Sequence, residues 1–348
     1  MKQIFLDAAA GPRNPSSLHA SGVVAKIKLE KARDKVARVL FSQPDEIIFT
    51  SGGTEGNNLA IFGLRPRHLI VTELEHASVL EPAATLNATF LKDISSLKES
   101  LRRETDLVSI IYAHNETGVI LPIREVAKSV RKFRQKNKTH QPYLHIDACQ
   151  APRYLDLNVQ KLGVDLMTLN GSKLGVPGVG CLFVRRGVSL SPVFLGGGQE
   201  KGLRSGTENV EGITRFARAL ELASKNRNRE SKRVAKLRDY FISELLKLPG
   251  VKLNGPEGEW RLANNVNVSF DGLLGEQIAL ELDAKGVAVS TGSACSISAR
   301  NNSHVIINSV RFSLATETRK KDLDYVLKVL PRILEKLERV RVLNKIIL

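Results

Sequence analysis

This chain contains a lysine, an aspartate and a cysteine whose side chains could act together in a catalytic site. Lys173 follows Asp147 by 26 residues, and Cys295 lies much later in the run Ser-Thr-Gly-Ser-Ala-Cys-Ser. A lysine amine can form a Schiff base, a carboxylate can hold a pyridinium nitrogen, and a thiol can accept sulfur. Together they indicate pyridoxal phosphate (PLP) chemistry that delivers sulfur. Each alone also fits a plain role, as a solvated lysine, a turn-forming aspartate or a small hydrophobic cysteine.

The positions of these residues relative to predicted strands support the chemical interpretation. Asp147 ends the predicted strand Tyr143–Asp147, and Lys173 lies just past the predicted strand Asp165–Asn170. Ligands of parallel sheets gather at the carboxyl ends of strands, so both side chains are expected at one edge. Gln150, three residues after Asp147, is close enough to reach a ring substituent. An aspartate there keeps the pyridine nitrogen protonated and makes the ring an electron sink.

A glycine turn follows another predicted strand and could bind phosphate. The run Phe49-Thr-Ser-Gly-Gly-Thr-Glu55 opens the helix-like segment Gly56–Phe62. The backbone N–H groups around Gly53 and the hydroxyl of Thr54 would then meet an anion at a helix N-terminus. A simple glycine turn with Thr54 as helix cap explains the same residues.

The sequence is compatible with two roles for His76. His76 begins a helix pattern after the predicted strand His68–Thr72. Its imidazole could stack on a flat cofactor ring or simply cap the helix. Both interpretations stay open at this point.

The pattern along the chain predicts an α/β fold with a large domain and a smaller α+β domain. Amphipathic stretches separate most of the predicted strands, which is typical of βαβ units around a mostly parallel sheet. The strands predicted in the first part of the chain are Ile47–Phe49, His68–Thr72, Asp106–Ala113, Tyr143–Asp147, Asp165–Asn170 and Cys181–Val184. After Pro249-Gly250 the pattern becomes strand, helix, two strands and a final helix from about Thr318. We predict a large domain over residues 16–230 and a small domain over residues 1–15 and 231–348.

Composition narrows the class of protein. The 348 residues are 42% hydrophobic and 25% charged, as in a globular protein with a full core. A net charge of +16 would suit a protein that binds nucleic acid. However, the excess basic residues are spread over helix-like segments, and only 5% of residues are aromatic. Nucleic-acid binding is therefore not expected. Three scattered cysteines and the absence of a signal peptide or an 18-residue apolar stretch predict a cytoplasmic, membrane-free protein without a disulfide framework.

Seven ordered blocks of this sequence resemble the signature blocks of cysteine desulfurases, PLP enzymes of fold type I in the class V aminotransferase group. The blocks are Phe49–Leu59, Glu75–Val79, His114–Val119, His145–Gln150, Gly196–Asn209, Ser293–Ser296 and Val310–Leu314. The resemblance covers nearly the whole chain. It implies a large domain with a seven-stranded-type, mostly parallel sheet that binds PLP, and a small domain that carries the catalytic cysteine loop.

The resemblance also implies a role for each matching residue. Lys173 matches the Schiff-base lysine and Cys295 the cysteine that becomes a persulfide. The positions that match contacts to the PLP phosphate are Gly53, Thr54, Asn170 and Ser172, and Thr207 matches a contact to the partner subunit's phosphate. The positions that match contacts to the PLP ring are His76, which would stack on it, Asp147 at the ring nitrogen and Gln150 at the ring hydroxyl. Asn115 and Arg311 match the groups that hold the substrate carboxylate, which suits the fork of a guanidinium.

The implied activity converts L-cysteine to L-alanine and passes the sulfur through Cys295 to a protein acceptor, such as an iron–sulfur scaffold or a sulfur carrier. A homodimer is implied as well. The chain departs from the family pattern Ser-x-His-Lys, because Asn170 and Ser172 take the serine and histidine positions. Serine cannot relay a proton near neutral pH, and the segment from Cys295 to Arg311 is also short. Selenocysteine lyase or a related PLP lyase, and a degenerate PLP-fold protein that binds partners, remain the alternatives.

Overall fold

The computed structural model describes residues 4–11, 13–291 and 307–347. In the first part of the chain the elements are α1 (Ala20–Leu40), β1 (Ile47–Thr50), α2 (Gly53–Leu64), β2 (Leu69–Thr72), α3 (Ala77–Ala84), β3 (Ala88–Leu91), α4 (Leu97–Ser100), β4 (Leu107–Ile111), α5 (Ile123–Asn137), β5 (Tyr143–Asp147), α6 (Val159–Leu162), β6 (Leu166–Asn170) and β7 (Gly180–Val184). The elements that follow are α7 (Val210–Leu245), β8 (Val251–Leu253), β9 (Asn265–Phe270), α8 (Gly275–Asp283), β10 (Ser290–Thr291), β11 (Ser309–Ser313) and α9 (Lys320–Ile347).

Seven strands form the large sheet in the order β1-β7-β6-β5-β4-β2-β3. The neighbours from β6 to β3 pair in parallel, and β7 runs antiparallel to both β1 and β6. Strands β1, β2, β4 and β7 are buried at every position, as expected when helices cover both faces of a sheet. Because β1 and β6 both run opposite to β7, the carboxyl ends of β1, β5 and β6 meet at one edge. The predicted α/β fold is confirmed.

Four strands form a second, antiparallel sheet in the order β10-β11-β9-β8. Helices α8 and α9 accompany it. The first strand of the pattern predicted after Pro249-Gly250 corresponds to β9, Asn265–Phe270. Two short strands, β3 and β8, are absent from the sequence prediction, because runs as brief as Ala88–Leu91 carry little alternation that marks a strand.

Contacts divide the chain into two compact units. The first contains Met1–Tyr112 and Pro122–Arg227, and the second contains Ala113–Leu121 and Asn228–Leu348. This division differs from the predicted boundaries, since residues 113–121 group with the second unit and the N-terminal residues with the first. The reason for the first difference is local hydrogen bonding: the Leu262 N–H donates to the Gly118 oxygen at 2.7 Å, and the Asn265 amide donates to the Glu116 oxygen at 2.8 Å. The assignment of functions to the two domains stays a prediction.

Candidate active site

Three of the residues predicted to bind the cofactor lie at the carboxyl edge of the large sheet. Asp147 is the last residue of β5, Gly53 begins α2 after β1, and Lys173 lies in a 3-10 turn, Gly171–Leu174, directly after β6. The side chain of Lys173 is exposed, whereas Asp147 is buried. This edge therefore combines a buried carboxylate with an exposed lysine.

The carboxylate of Asp147 is held in place by two donors. The amide nitrogen of Asn57 donates to Oδ2 at 2.8 Å, and the backbone N–H of Cys149 donates to Oδ1 at 2.9 Å. These hydrogen bonds fix the carboxylate in its buried position. Burial raises the pKa of the nearby Glu75 to about 8, with the charge of Asp147 adding to the effect. Glu75 is therefore mostly protonated at pH 7.

The turn after β1 makes the close approach that a phosphate cradle needs. A Cβ added to Gly53 would lie 2.7 Å from the sulfur of Cys149 and 3.4 Å from the Asn170 side chain, so a larger residue would force the Cys149 side chain to shift. Thr54 is exposed in the first turn of α2. Ser172 is exposed in the 3-10 turn after β6. The side-chain oxygen of Asn170 accepts the Ser172 N–H at 3.0 Å. Exposed hydroxyls beside the N-terminus of a helix fit the phosphate of PLP.

His76 has the helix-capping position that one of its two predicted interpretations requires. It is the N-cap of α3, and its Nδ1 accepts the Ser78 N–H at 3.1 Å. The side chain is half-buried, so one part of the ring stays accessible. Capping does not conflict with stacking on a cofactor ring, and that second role stays a prediction. Gln150 is half-buried three residues beyond Asp147.

The loop that carries Thr207 is anchored to the start of α2, next to the Gly53 turn. Arg204 Nε donates to Glu55 at 2.8 Å, and Glu55 also accepts the Ser51 N–H at 2.8 Å. Glu200 in the same loop is buried and pairs with Arg33 at 2.7 Å. Thr207 itself is exposed. A cavity of about 520 Å³ lies against this loop, lined by residues that include Glu55, Arg204 and Thr207.

Four residues of this region were not identified as functional from the sequence. They all lie inside the motif blocks or the adjacent loop: Glu55, Asn57, Ser78 and Arg204. Each is a polar residue at a buried or half-buried position, which would have indicated a function. The sequence pattern did not reveal this burial. Their hydrogen bonds depend on contacts between segments far apart in the chain.

Arg311 and Asn115, predicted to hold the substrate carboxylate, contact each other in the second unit. Arg311 lies on β11, and its Nη1 donates to the main-chain oxygen of Asn115 at 3.1 Å. Its buried Nε has no hydrogen-bond partner among the described residues. Burial and the charge of Arg311 lower the pKa of His114 to about 4, so that histidine is neutral at pH 7. A guanidinium with a spare donor beside a neutral histidine suits a carboxylate ligand.

The three cysteines differ in placement. Cys181 is buried in β7, and burial raises its pKa strongly. Cys149 is only half-buried and faces Gly53 at the sheet edge. Burial of its sulfur and the charge of Asp147 raise the pKa of Cys149 well above that of a free thiol. Neither residue provides a ready thiolate near neutral pH. Cys295 lies outside the described residues.

Comparisons with known proteins agree on one family. The model of the aminotransferase class-V family matches residues 1–326. A cysteine desulfurase IscS of Dictyoglomus turgidum is 43% identical over 94% of this chain and 89% of that protein. Cysteine desulfurase IscS 1 of Archaeoglobus fulgidus is 38% identical over 93% of this chain and 90% of that protein. Among solved structures, a NifS-like protein has a TM-score of 0.85 and 34% identity over 93% of this chain and 92% of its own.

Within residues 4–11, 13–291 and 307–347, no helix is both long and apolar enough to span a bilayer.

Proposed function

The chain belongs to the class-V aminotransferase family, and we propose that it is a PLP-dependent cysteine desulfurase acting through Lys173 and Cys295. The observation that carries the proposal is the meeting of Asp147, Lys173 and the Gly53 turn at one edge of the sheet. Similarity to cysteine desulfurases over more than nine-tenths of the chain supports the choice of reaction.

PLP, when bound, supplies an electron sink that lets the α-carbon of an amino acid lose its proton. Asp147 would hold the protonated ring nitrogen, because its carboxylate is buried and already fixed by two donors. The phosphate would lie against Gly53, Thr54, Asn170 and Ser172. Lys173 Nζ would hold the cofactor through its carbonyl carbon, and the same amine would move protons at the substrate carbons. Gln150 and His76 would contact the ring hydroxyl and the ring face.

The net reaction balances with one thiol on the enzyme. L-Cysteine and the Cys295 thiol give L-alanine and a Cys295 persulfide. The carbon–sulfur bond of the substrate breaks and a sulfur–sulfur bond forms on the enzyme, while the substrate β-carbon ends with an additional hydrogen. Cys295 must attack as a thiolate. A protein acceptor, such as an iron–sulfur scaffold or a sulfur carrier in the cytoplasm, would then take the sulfane sulfur.

Reconstitution with PLP tests the proposal. The apoprotein should gain a near-visible absorbance when PLP is added, and borohydride should bleach that absorbance and fix PLP on the peptide with Lys173. Only the PLP-loaded protein should release alanine from L-cysteine. Failure to bind PLP, or fixation on a different lysine, would contradict the proposal.

Arg311→Lys should raise the KM for L-cysteine about tenfold or more and leave PLP affinity nearly unchanged, because an ammonium keeps the charge but loses the two-pronged geometry. Initial rates against L-cysteine concentration, together with a PLP titration, measure both effects. The matched control is Arg319→Lys, an exposed arginine of the same unit. An unchanged KM would assign Arg311 a purely structural role.

We propose that the protein is a homodimer in which Thr207 contacts the partner's cofactor phosphate. The exposure of Thr207 on an anchored loop supports this, since the side chain is free to reach another subunit. Thr207→Ala should weaken PLP binding about tenfold, the cost of one hydrogen bond to a charged group. Thr214→Ala is the control, because that hydroxyl bonds within its own helix at 2.7 Å.

Light scattering with a PLP titration decides the dimer prediction. Wild type and both threonine variants should be dimers, and Thr207→Ala alone should need more PLP. A wild-type monomer with full PLP occupancy would refute the shared phosphate site.

A further inference from the structure

Asn57 and Ser78 connect the carboxylate of Asp147 to the ring of His76. Asn57, in α2, is completely buried. Its Nδ2 lies 2.8 Å from Asp147 Oδ2 and 2.8 Å from the hydroxyl of Ser78. That hydroxyl lies 2.8 Å from Nδ1 of His76. The four side chains form one continuous hydrogen-bonded chain.

The direction of each hydrogen bond in the chain follows from its chemistry. One amide nitrogen has two hydrogens, and Asn57 gives one to Asp147 and the other to Ser78. The opposite amide orientation would face an oxygen against the carboxylate of Asp147, so two acceptors would repel each other. Since Ser78 accepts from Asn57, its own O–H is directed to Nδ1 of His76.

The imidazole of His76 is therefore an acceptor at Nδ1. The backbone N–H of Ser78 donates to the same nitrogen at 3.1 Å. A neutral imidazole with two donors at Nδ1 carries its proton on Nε2. The partner of one ring nitrogen thus sets the state of the other.

We propose that Asn57 and Ser78 are positioning residues that hold His76 in its Nε2–H tautomer and fix that ring relative to the carboxylate of Asp147. The inference rests on the proposed function, in which Asp147 and His76 both contact the cofactor ring. In the resting site His76 then offers a hydrogen-bond donor at Nε2. A change at Asn57 is transmitted to both groups.

The burial of Asn57 indicates that its amide is kept for these bonds. Its Oδ1 is buried without a hydrogen-bond partner among the described residues. An unpaired buried oxygen is unfavourable, and a leucine of similar size would avoid that cost. The two N–H groups of the amide are both used by residues of the candidate site, and these bonds offset the unpaired oxygen.

The tautomer can be measured in the apoprotein by ¹⁵N NMR of labelled histidines, with the His76 signals assigned from a His76→Gln spectrum. Wild type and Ser78→Thr, which keeps the hydroxyl, should show Nε2–H alone. Ser78→Ala and Asn57→Ala should each shift the tautomer ratio about tenfold toward Nδ1–H, the effect of one hydrogen bond. A wild-type Nδ1–H form, or equal ratios in all variants, would overturn the inference.

The loaded enzyme gives a second, independent readout. Ser78→Ala should lower kcat about tenfold while KM and PLP affinity change less than about threefold, and Ser78→Thr should restore kcat. Asn57→Ala should in addition weaken PLP binding about tenfold, because Asp147 loses a donor. Ser100→Ala, which removes a hydroxyl bonded to a main-chain oxygen at 2.9 Å, is the control. Equal kcat in wild type and Ser78→Ala would contradict the positioning role.

The two proposals fail in different ways. If wild type binds no PLP, the proposed function is contradicted, and the tautomer in the apoprotein still decides the role of Asn57 and Ser78. If wild type binds PLP and makes alanine while the tautomer is insensitive to both residues, the inference alone is wrong.

Discussion

Lys173→Ala should abolish both the near-visible absorbance of the PLP-loaded protein and all release of alanine from L-cysteine. The physical reason is that the amine of Lys173 is exposed in the turn after β6, at the same sheet edge as Asp147. Without that amine no covalent bond to PLP forms and no group carries protons at the substrate carbons. Absorbance spectra and alanine quantification measure the two losses.

The control for this variant is Lys161→Ala, an exposed lysine on α6. It should keep the absorbance and the activity of wild type. PLP should still bind to Lys173→Ala without a covalent bond, because the phosphate cradle around Gly53 is unchanged. Full turnover by Lys173→Ala would remove the proposed mechanism.

Cys295→Ser should keep PLP and L-cysteine binding but form no persulfide and no catalytic amount of alanine. A serine hydroxyl neither ionises near neutral pH nor accepts sulfane sulfur. The other two cysteines cannot substitute, because burial raises the pKa of Cys149 and of Cys181. Spectral changes on adding L-cysteine report binding, and alkylation followed by mass spectrometry reports the persulfide.

Persistent desulfuration by Cys295→Ser would favour a lyase that releases its product without an enzyme persulfide. That is the behaviour expected of the selenocysteine lyase alternative. A variant that fails to bind PLP would instead show that the segment around Cys295 is needed for the cofactor site.

Residues that end strands could be placed from the sequence. The run Tyr143–Asp147 is apolar and ends in a carboxylate, so both the strand and the edge position of Asp147 followed from periodicity and sheet topology. The same logic located Lys173 after β6. Positions of this kind depend on local pattern, which a sequence contains.

Contacts between distant segments could not be predicted. The hydrogen bond from Asn57 to Asp147 joins residues 90 positions apart, and the pair of Arg204 with Glu55 spans 149 positions. Asn115 contributes its main-chain oxygen to Arg311, a role that no side-chain pattern records. The close approach of the Gly53 turn to Cys149 is likewise a contact between distant segments.

A single-turnover experiment tests whether the substrate sulfur is transferred to Cys295. PLP-loaded wild type is mixed with one equivalent of L-cysteine, and alanine and the position of the enzyme-bound sulfur are determined from the same sample by mass spectrometry. We expect alanine in an amount equal to that of a persulfide on Cys295, and no persulfide on Cys149 or Cys181. Alanine without an enzyme persulfide, or a persulfide on either of the other cysteines, would contradict this expectation.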